Sequence, residues 1–492
     1  MLRPAPMHIS SAYTKPPGER RATLLLLDGA REDVFLRLAA DGDLPNISRY
    51  VLDPGGVVPA TTVFPSTTGV AYLPFLTGCY PGTCNVPGIR WLDRRRYKGR
   101  WWADREHVRS YCGYQADRIN GDLRSGLESL FDRIADVAVL ASPFTRGLGR
   151  TANRVRVARA LLGSAAHYTG NYGSLDRAVG RELARVAARR HALVFAVFPA
   201  VDGVTHFHDP WHPAVLATYR QFDGIVGEYG ARGGFDGDHL ALIVSDHGAS
   251  AVKRHTDIAV EMEKLGLPTL CHPVMWRRDP AAAVMVSGNG SAQIYLDPAG
   301  PRADRVPLSA IESGAVPGVR KDVVSQLAAL DGVAFVAASE GAGVVVVGEG
   351  GRAHLHPEPS DPARITYRTD GADILDLGEG GSRGEREWLV ASLDRRYPDA
   401  PAQLLQLFRS DRAGDLLVAA ELGCDLRDGW EKPEHRSGHG SLIGDHMRCL
   451  FAANRPFAGP IRTVDVFPLL LQHLGCEVPP GIDGTWEASA TS

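Results

Sequence analysis

Six side chains at four widely separated places have the types that bind divalent cations: Asp28, Asp202 with His206, Asp246 with His247, and His439 in a glycine-flanked loop. Carboxylate and imidazole together ligate hard to borderline ions, and such mixed sets suit zinc, with manganese as the other choice. A seventh group is a hydroxyl. The stretch TTVFPSTTGVAYLPFLTG, from Thr61 to Gly78, carries Ser66, Thr67 and Thr68 where a β-rich, proline-punctuated run gives way to apolar residues at helical spacing. Thr68 is expected at the turn into a helix, where free backbone N–H groups and the positive end of the helix dipole favour a phosphate or a developing alkoxide. Taken alone, any of the three hydroxyls reads equally well as a helix cap, and so does an Asp after an apolar strand. The joint order separates the two readings: six donors and a hydroxyl gathered at one edge would hold two ions beside a nucleophile.

The elements that must gather them follow from the hydrophobic pattern. ATLLLL, residues 22–27, reads as a fully buried strand ending at Asp28, and the next helix, near 31–42, has Val34, Phe35, Leu38 and Ala39 at helical spacing. ALVFAVF and HLALIV are two further buried strands, the first leading to Asp202 and His206 and the second to Asp246 and His247, with helices near 175–190 and 213–230 between them. Strand alternating with helix predicts an α/β fold: a mostly parallel central sheet flanked by helices on both faces, with the chemistry at the carboxyl ends of the strands. From 253 to 410 the text turns glycine-rich and alternating, which predicts antiparallel strands in a smaller cap or elaborated edge. The expected organisation is an N-terminal arm over 1–20, a catalytic core over 21–252, the cap over 253–410 and a closing part of the core over 411–492. DLLVAAELG is read there as a core strand and TVDVFPLLLQHLG as the closing helix. Earlier in the chain, the irregular run after Gly78 interleaves arginines with aromatics, and is expected to be a loop closing over an anionic substrate rather than a nucleic-acid surface.

The motifs LLLLDG, FPSTTG with its closing Thr-Gly, DGVTH, SDHG and GHG occur in that order across nearly the whole chain. In this the sequence resembles the alkaline phosphatase superfamily and, within it, the type I phosphodiesterase and nucleotide pyrophosphatase branch. The resemblance selects Thr68 as the nucleophile, nine residues before the Thr77-Gly78 pair, and leaves Ser66 and Thr67 out of register. It implies that Asp202, His206 and His439 ligate one zinc, and that Asp28, Thr68, Asp246 and His247 hold the other. The pattern departs at TCNVPGIRW: Cys84 stands where the branch has a His, and Ile89 where it has a phosphate-contacting Asn. Arg90 is the candidate replacement, with a planar fork suited to an oxyanion. His255, next to Lys253 and Arg254, is a candidate substrate contact. The sulfatase signature is missing at Thr68.

Composition sets the outer bounds. A net charge of -3 and 44% hydrophobic residues describe an ordinary globular chain with no global attraction for nucleic acid or anionic membrane. No apolar run reaches the roughly 18 residues of a membrane span, no apolar leader precedes Ala22, and the seven cysteines form no CxxC pair, so the expectation is a cytoplasmic protein without a disulfide framework. The expected activity is a metal-dependent hydrolase that cleaves phosphodiester or pyrophosphate bonds of a small phosphorylated metabolite through a phospho-threonine. The alternatives are a phosphomonoesterase or phosphonate C–P hydrolase on the same site and, in another class, a binding protein on a relic fold.

Overall fold

Seven consecutive residues, Arg21–Leu27, form strand β1 of the computed structural model, and all seven are buried. Their side chains alternate between two cores: Ala22, Leu24 and Leu26 enter one, Leu25 and Leu27 the other. A strand that is apolar on both faces must be covered on both. Helix Val466–Leu474 covers the first face, and helices Glu32–Ala40, Gly173–Val186 and Pro213–Ala231 the second. Each fully buried leucine here contributes about 2 kcal/mol. The structure describes residues 20–149, 152–272, 277, 279–427 and 434–486; of the arm expected over 1–20, residues 1–19 lie outside the described residues.

Six more strands complete this sheet: β2 (Gly56–Val57), β3 (Val137–Leu140), β4 (Asn153–Arg154), β5 (Leu193–Phe198), β6 (His239–Val244) and β7 (Phe451–Ala453), in the spatial order β2-β7-β6-β1-β5-β3-β4. The run from β6 to β4 is parallel, whereas β7 and β2 add on antiparallel. The expected mostly parallel sheet is therefore corrected to a mixed α/β fold. The reason is local: β7 pairs with β6 antiparallel, so no crossover helix is needed to join it to the sheet.

That second sheet has nine strands among the described residues and is antiparallel except where Thr269–Cys271 meets Ala282–Ser287. Eight of its strands come from 253–410, so the part expected as a smaller edge carries the larger sheet. Its remaining strand, Leu416–Ala420, lies between Ser291–Leu296 and Val333–Glu340. The DLLVAAELG strand thus belongs to the second sheet and not, as read from its apolar text, to the first. No described helix is long and apolar enough to cross a membrane.

Two local expectations also change. The helix expected to begin at Thr68 begins at Leu73 and runs only to Thr77. Gly69 takes the left-handed region at φ +82, which no helical turn can include, and Pro74 in the first turn sets the later start. The arginine-rich run after Gly78 is not a set of free cations over a substrate. Arg94 is 4% exposed and bonded to Asp415, Arg95 lies 2.7 Å from Asp411, Arg100 3.1 Å from Asp104, and Arg109 3.0 Å from Asp122.

Candidate active site

The parallel register sets the site. Leu27 lies opposite Phe198 and Leu26 opposite Val244, so the three central strands end level and present Asp28, Asp202 and Asp246 at one rim. Strand spacing alone would leave the side chains about 5 Å apart, and the backbone then draws two of them in. The Asp202 amide donates to the Asp28 carbonyl at 3.0 Å, and the Gly29 amide to Asp246 Oδ1 at 3.1 Å. Gly29 has φ +70, and a Cβ there would stand 2.7 Å from that of Asp202. Only glycine allows the close approach. Asp202 and His206 sit at i and i+4 across the short helix Ala200–Thr205, hence on one face.

The six candidate acid and imidazole ligands and Thr68 meet in one chain of contacts. The Thr68 hydroxyl lies 3.0 Å from His247 Nε2 and 3.3 Å from Asp28 Oδ1. His247 Nε2 is 3.3 Å from Asp246 Oδ2 and 3.5 Å from Asp28 Oδ1. Its ring stacks on that of His439 at 3.9 Å, and His439 Nε2 lies 3.7 Å from Asp202 Oδ1. His206 Nε2 completes the series, 3.3 Å from Asp202 Oδ2. Two subsets have ligand atoms all within 4.8 Å of one another and could each hold a metal ion: Asp28, Asp246 and His247, and Asp202, His247 and His439.

The residues fit divalent cations on three counts. Asp202 Oδ1 and Asp246 Oδ2 are buried and accept no hydrogen bond, an arrangement that costs several kcal/mol unless a positive charge is supplied. Each imidazole turns Nδ1 to a backbone carbonyl: His206 to Ser437 at 3.2 Å, His247 to Gly248 at 2.9 Å and His439 to Ser66 at 3.0 Å. A carbonyl only accepts, so Nδ1 carries the hydrogen and Nε2 presents its lone pair inward. Finally, the carboxylates are mutually repulsive. Burial, then the Asp246 and Asp202 charges, holds the Asp28 carboxyl well above the usual range, and burial pushes Asp246 up to about 7. Burial also opposes the charge on Asp202, but the neighbouring His206 and, after it, His439 bring that group below its ordinary value.

Support comes from both sheets. His439 is held by the second sheet's hairpin: its amide donates to the Gly288 carbonyl at 3.1 Å, and its carbonyl accepts from the Gly290 amide at 2.7 Å. Ser66 ties the same loop to the Thr68 stretch, donating to the Ser441 carbonyl at 2.8 Å. Reading the sequence missed three aromatic neighbours. The Tyr72 hydroxyl donates to Asp28 Oδ2 at 2.5 Å, His435 stacks on His206 at 4.0 Å, and the Tyr172 ring lies against Gly203. Tyr72 follows Thr68 by four residues and His435 precedes His439 by four, a one-turn spacing that was visible; Tyr172 carries no such signal.

Arg90 and His255 make other contacts. Arg90 starts the strand Arg90–Leu92 and reaches Cys112 Sγ at 3.8 Å, while Ile89 packs partly buried against the first core. His255 lies between Asp425 at 2.7 Å and Glu434 at 3.0 Å, engaged at both ring nitrogens.

Similarity to known proteins agrees with this geometry. The fold is similar to phosphonoacetate hydrolase from Sinorhizobium meliloti 1021, solved with phosphonoformate and with phosphonoacetate, at 17% identity and a TM-score of 0.56 over 93% of this chain and 97% of that one. It is similar also to murine ectonucleotide pyrophosphatase / phosphodiesterase 5, at 13% identity and a TM-score of 0.53 over 95% and 98% of the two chains, and an inactive variant of that protein was solved with AMP. No curated protein matches the sequence. The family model for type I phosphodiesterase / nucleotide pyrophosphatase matches residues 22–442, and the chain therefore belongs to that family of hydrolytic enzymes, in the alkaline phosphatase superfamily.

Proposed function

We propose that the protein is a metal-dependent hydrolase that cleaves phosphodiester or pyrophosphate bonds of a small phosphorylated metabolite, with Thr68 as the nucleophile. The observation that carries this reading is the position of the Thr68 hydroxyl, 3.0 Å from His247 and 3.3 Å from Asp28, beside buried carboxylate oxygens without a donor. Two divalent cations, zinc by the donor types, would be held by Asp28, Thr68, Asp246 and His247 and by Asp202, His206 and His439, and when bound would supply the positive charge that lets a hydroxyl ionise near neutral pH and that offsets charge on the leaving oxygen.

The chain's own part is alignment. Asp28 and His247 fix the Thr68 oxygen, which attacks phosphorus as the bond to the leaving oxygen breaks, giving a phospho-threonine. Water then attacks the same phosphorus, the Thr68 oxygen departs, and the hydroxyl is restored. Burial of the rim excludes bulk water until a substrate fills it, so the charges act in a low dielectric. We place this chemistry in the cytoplasm, where seven unpaired cysteines are stable, and assign no nucleic-acid polymer as substrate.

A phosphomonoesterase or phosphonate hydrolase on the same site is the second reading, favoured by one observation: Ile89 turns into the core and offers no amide to a diester oxygen, with Arg90 beside it as the replacement donor. Relative turnover of bis(p-nitrophenyl) phosphate, p-nitrophenyl phosphate and phosphonoacetate by zinc-loaded protein decides between them. Acid-quenched intact-mass analysis with the preferred substrate should show one phosphoryl group on Thr68; a labelled residue elsewhere, or no turnover of any of the three, overturns the proposal.

A further inference from the structure

Tyr172 precedes the helix Gly173–Val186, and its amide donates to the Gly170 carbonyl at 3.0 Å. Its ring lies against the backbone of Gly203, where an added Cβ would meet three ring atoms at 2.4 to 2.5 Å. Gly203 is the residue directly after Asp202, so the phenol is carried to the edge of the carboxylate cluster. Burial raises its phenol well above the ordinary range, and the Asp202 and Asp28 charges raise it further.

The contrast with Tyr72 is informative. Tyr72 gives its proton to Asp28 at 2.5 Å, whereas the Tyr172 hydroxyl has no acceptor among the described residues. The flanking Gly170 and, beyond Gly203, Val204 line an open cleft of about 520 Å³ together with Phe207, His208 and Arg436. Tyr172 thus packs on the residue next to Asp202, with chain neighbours of both residues on the cleft and its own donor unused among the described residues.

We infer that Tyr172 is a substrate contact, its phenolic O–H donating to a phosphoryl oxygen of the bound ligand on the Asp202 side. The inference rests on the phosphoryl-transfer reading above and deepens it, by naming a neutral donor that the motif pattern does not contain. No bond is made or broken at Tyr172. It holds an oxygen whose negative charge increases as the reaction proceeds.

The test is Tyr172→Phe in the full-length, zinc-loaded protein, a change that keeps the ring against Gly203. Zinc content and thermal midpoint should match the wild type. The dissociation constant of inorganic phosphate, measured by calorimetry, should rise roughly 10- to 100-fold, the usual loss for one hydrogen bond to a charged group. Turnover of whichever phosphoester or phosphonate the wild type hydrolyses should fall by a similar factor in kcat/KM. A phosphate dissociation constant within twofold of wild type, or a wild type that binds no phosphate, overturns the contact. If the wild type binds phosphate but hydrolyses none of the three substrates, the hydrolase reading fails while the phosphate ratio still decides the role of Tyr172.

Discussion

Two kinds of buried carboxylate occur in this molecule. Asp399 and Asp415 are fully buried, and each is closed by an arginine: Arg462 reaches both oxygens of Asp399 at 2.7 and 2.8 Å, with Gln403 adding a third bond at 2.9 Å, and Asp415 is held by Arg94 and by the amides of Leu296 and Val306 at 2.7 and 2.8 Å. Asp28, Asp202 and Asp246 are buried to a similar degree, yet among the described residues the three acids converge without a Lys or Arg partner, and two of their oxygens accept nothing. The first kind is complete as folded and ties segments together. On the function proposed, the second is completed by positive charge from outside the chain, which is how a site built for cations would differ from a lock built for stability.

The comparison is broken most sharply at the rim. Thr68→Ala should lower turnover about 10⁴-fold or more, because it removes the hydroxyl held by His247 and Asp28, while zinc content stays near wild type. Residual activity above about a tenth of wild type would remove Thr68 from its role. Asp246→Ala should lose metal as well as activity, and mass spectrometry should find less than half the wild-type zinc. Chelation of the wild type should lower its thermal midpoint, since a ligand at a hundred times its dissociation constant stabilises by about 2.7 kcal/mol.

The lock should respond in the opposite way. Arg462→Met leaves the Asp399 charge buried and uncompensated, for a loss of about 3 to 5 kcal/mol in unfolding free energy, with zinc content per folded chain unchanged. Arg462→Met with Asp399→Leu should recover much of that loss, because both charges are then gone. Denaturant titration of the two variants reads the difference directly; a metal loss in Arg462→Met would show that lock and rim are not separate.

How much of this was legible beforehand differs between the two kinds. The rim was, because an apolar run followed by Asp is a local pattern and parallel strands of equal phase end together, as Asp28, Asp202 and Asp246 do. The locks were not. Arg94 finds Asp415 and Arg462 finds Asp399 across 321 and 63 residues, and nothing in the arginine-rich run showed that its charges were already matched, so it read as a substrate lid. The helix start was misplaced for a similar reason: apolar spacing after Gly69 was right, but the φ of +82 at that glycine is set by the packing of the whole loop. Tyr172 and the hairpin that carries His439 depend on contacts between distant segments, which no motif spells out.

A third buried group tests whether burial without a matching charge always signals a site. His239, at the opposite end of β6 from Asp246, bonds through Nε2 to Thr23 Oγ1 at 2.8 Å, and burial, then the Arg21 guanidinium, pushes it down to about 3. Its value when unfolded is about 6.5. Between those values the unfolded chain binds the extra proton, so stability is full above about pH 6.5 and declines as pH falls toward 3. At pH 5 the loss from this group is about 2 kcal/mol. Denaturant midpoints at pH 7, 6 and 5 should show the decline, and His239→Gln should flatten it by close to one proton; an unchanged slope would mean that the imidazole is not held neutral by the fold.

The smallest expected effect lies where the two kinds of carboxylate meet, in the bond from Tyr72 to Asp28. Asp28 is the one rim acid with a strong neutral donor of its own, at 2.5 Å, and burial followed by the Asp28 charge keeps that phenol protonated. The bond satisfies Asp28 Oδ2 and so fixes which oxygen, Oδ1, faces Thr68 and His247. Tyr72→Phe keeps the ring in the first core and removes only that donor. Zinc affinity should then weaken about tenfold, as is usual when the group orienting a metal ligand is lost, while kcat at saturating zinc stays within about twofold. Chelator competition measures the first quantity and a zinc titration of activity the second. Unchanged affinity would mean that Asp28 needs no orienting partner and that the rim is set by the strands alone; a fall in kcat that added zinc does not restore would mean that Tyr72 acts on the reaction itself.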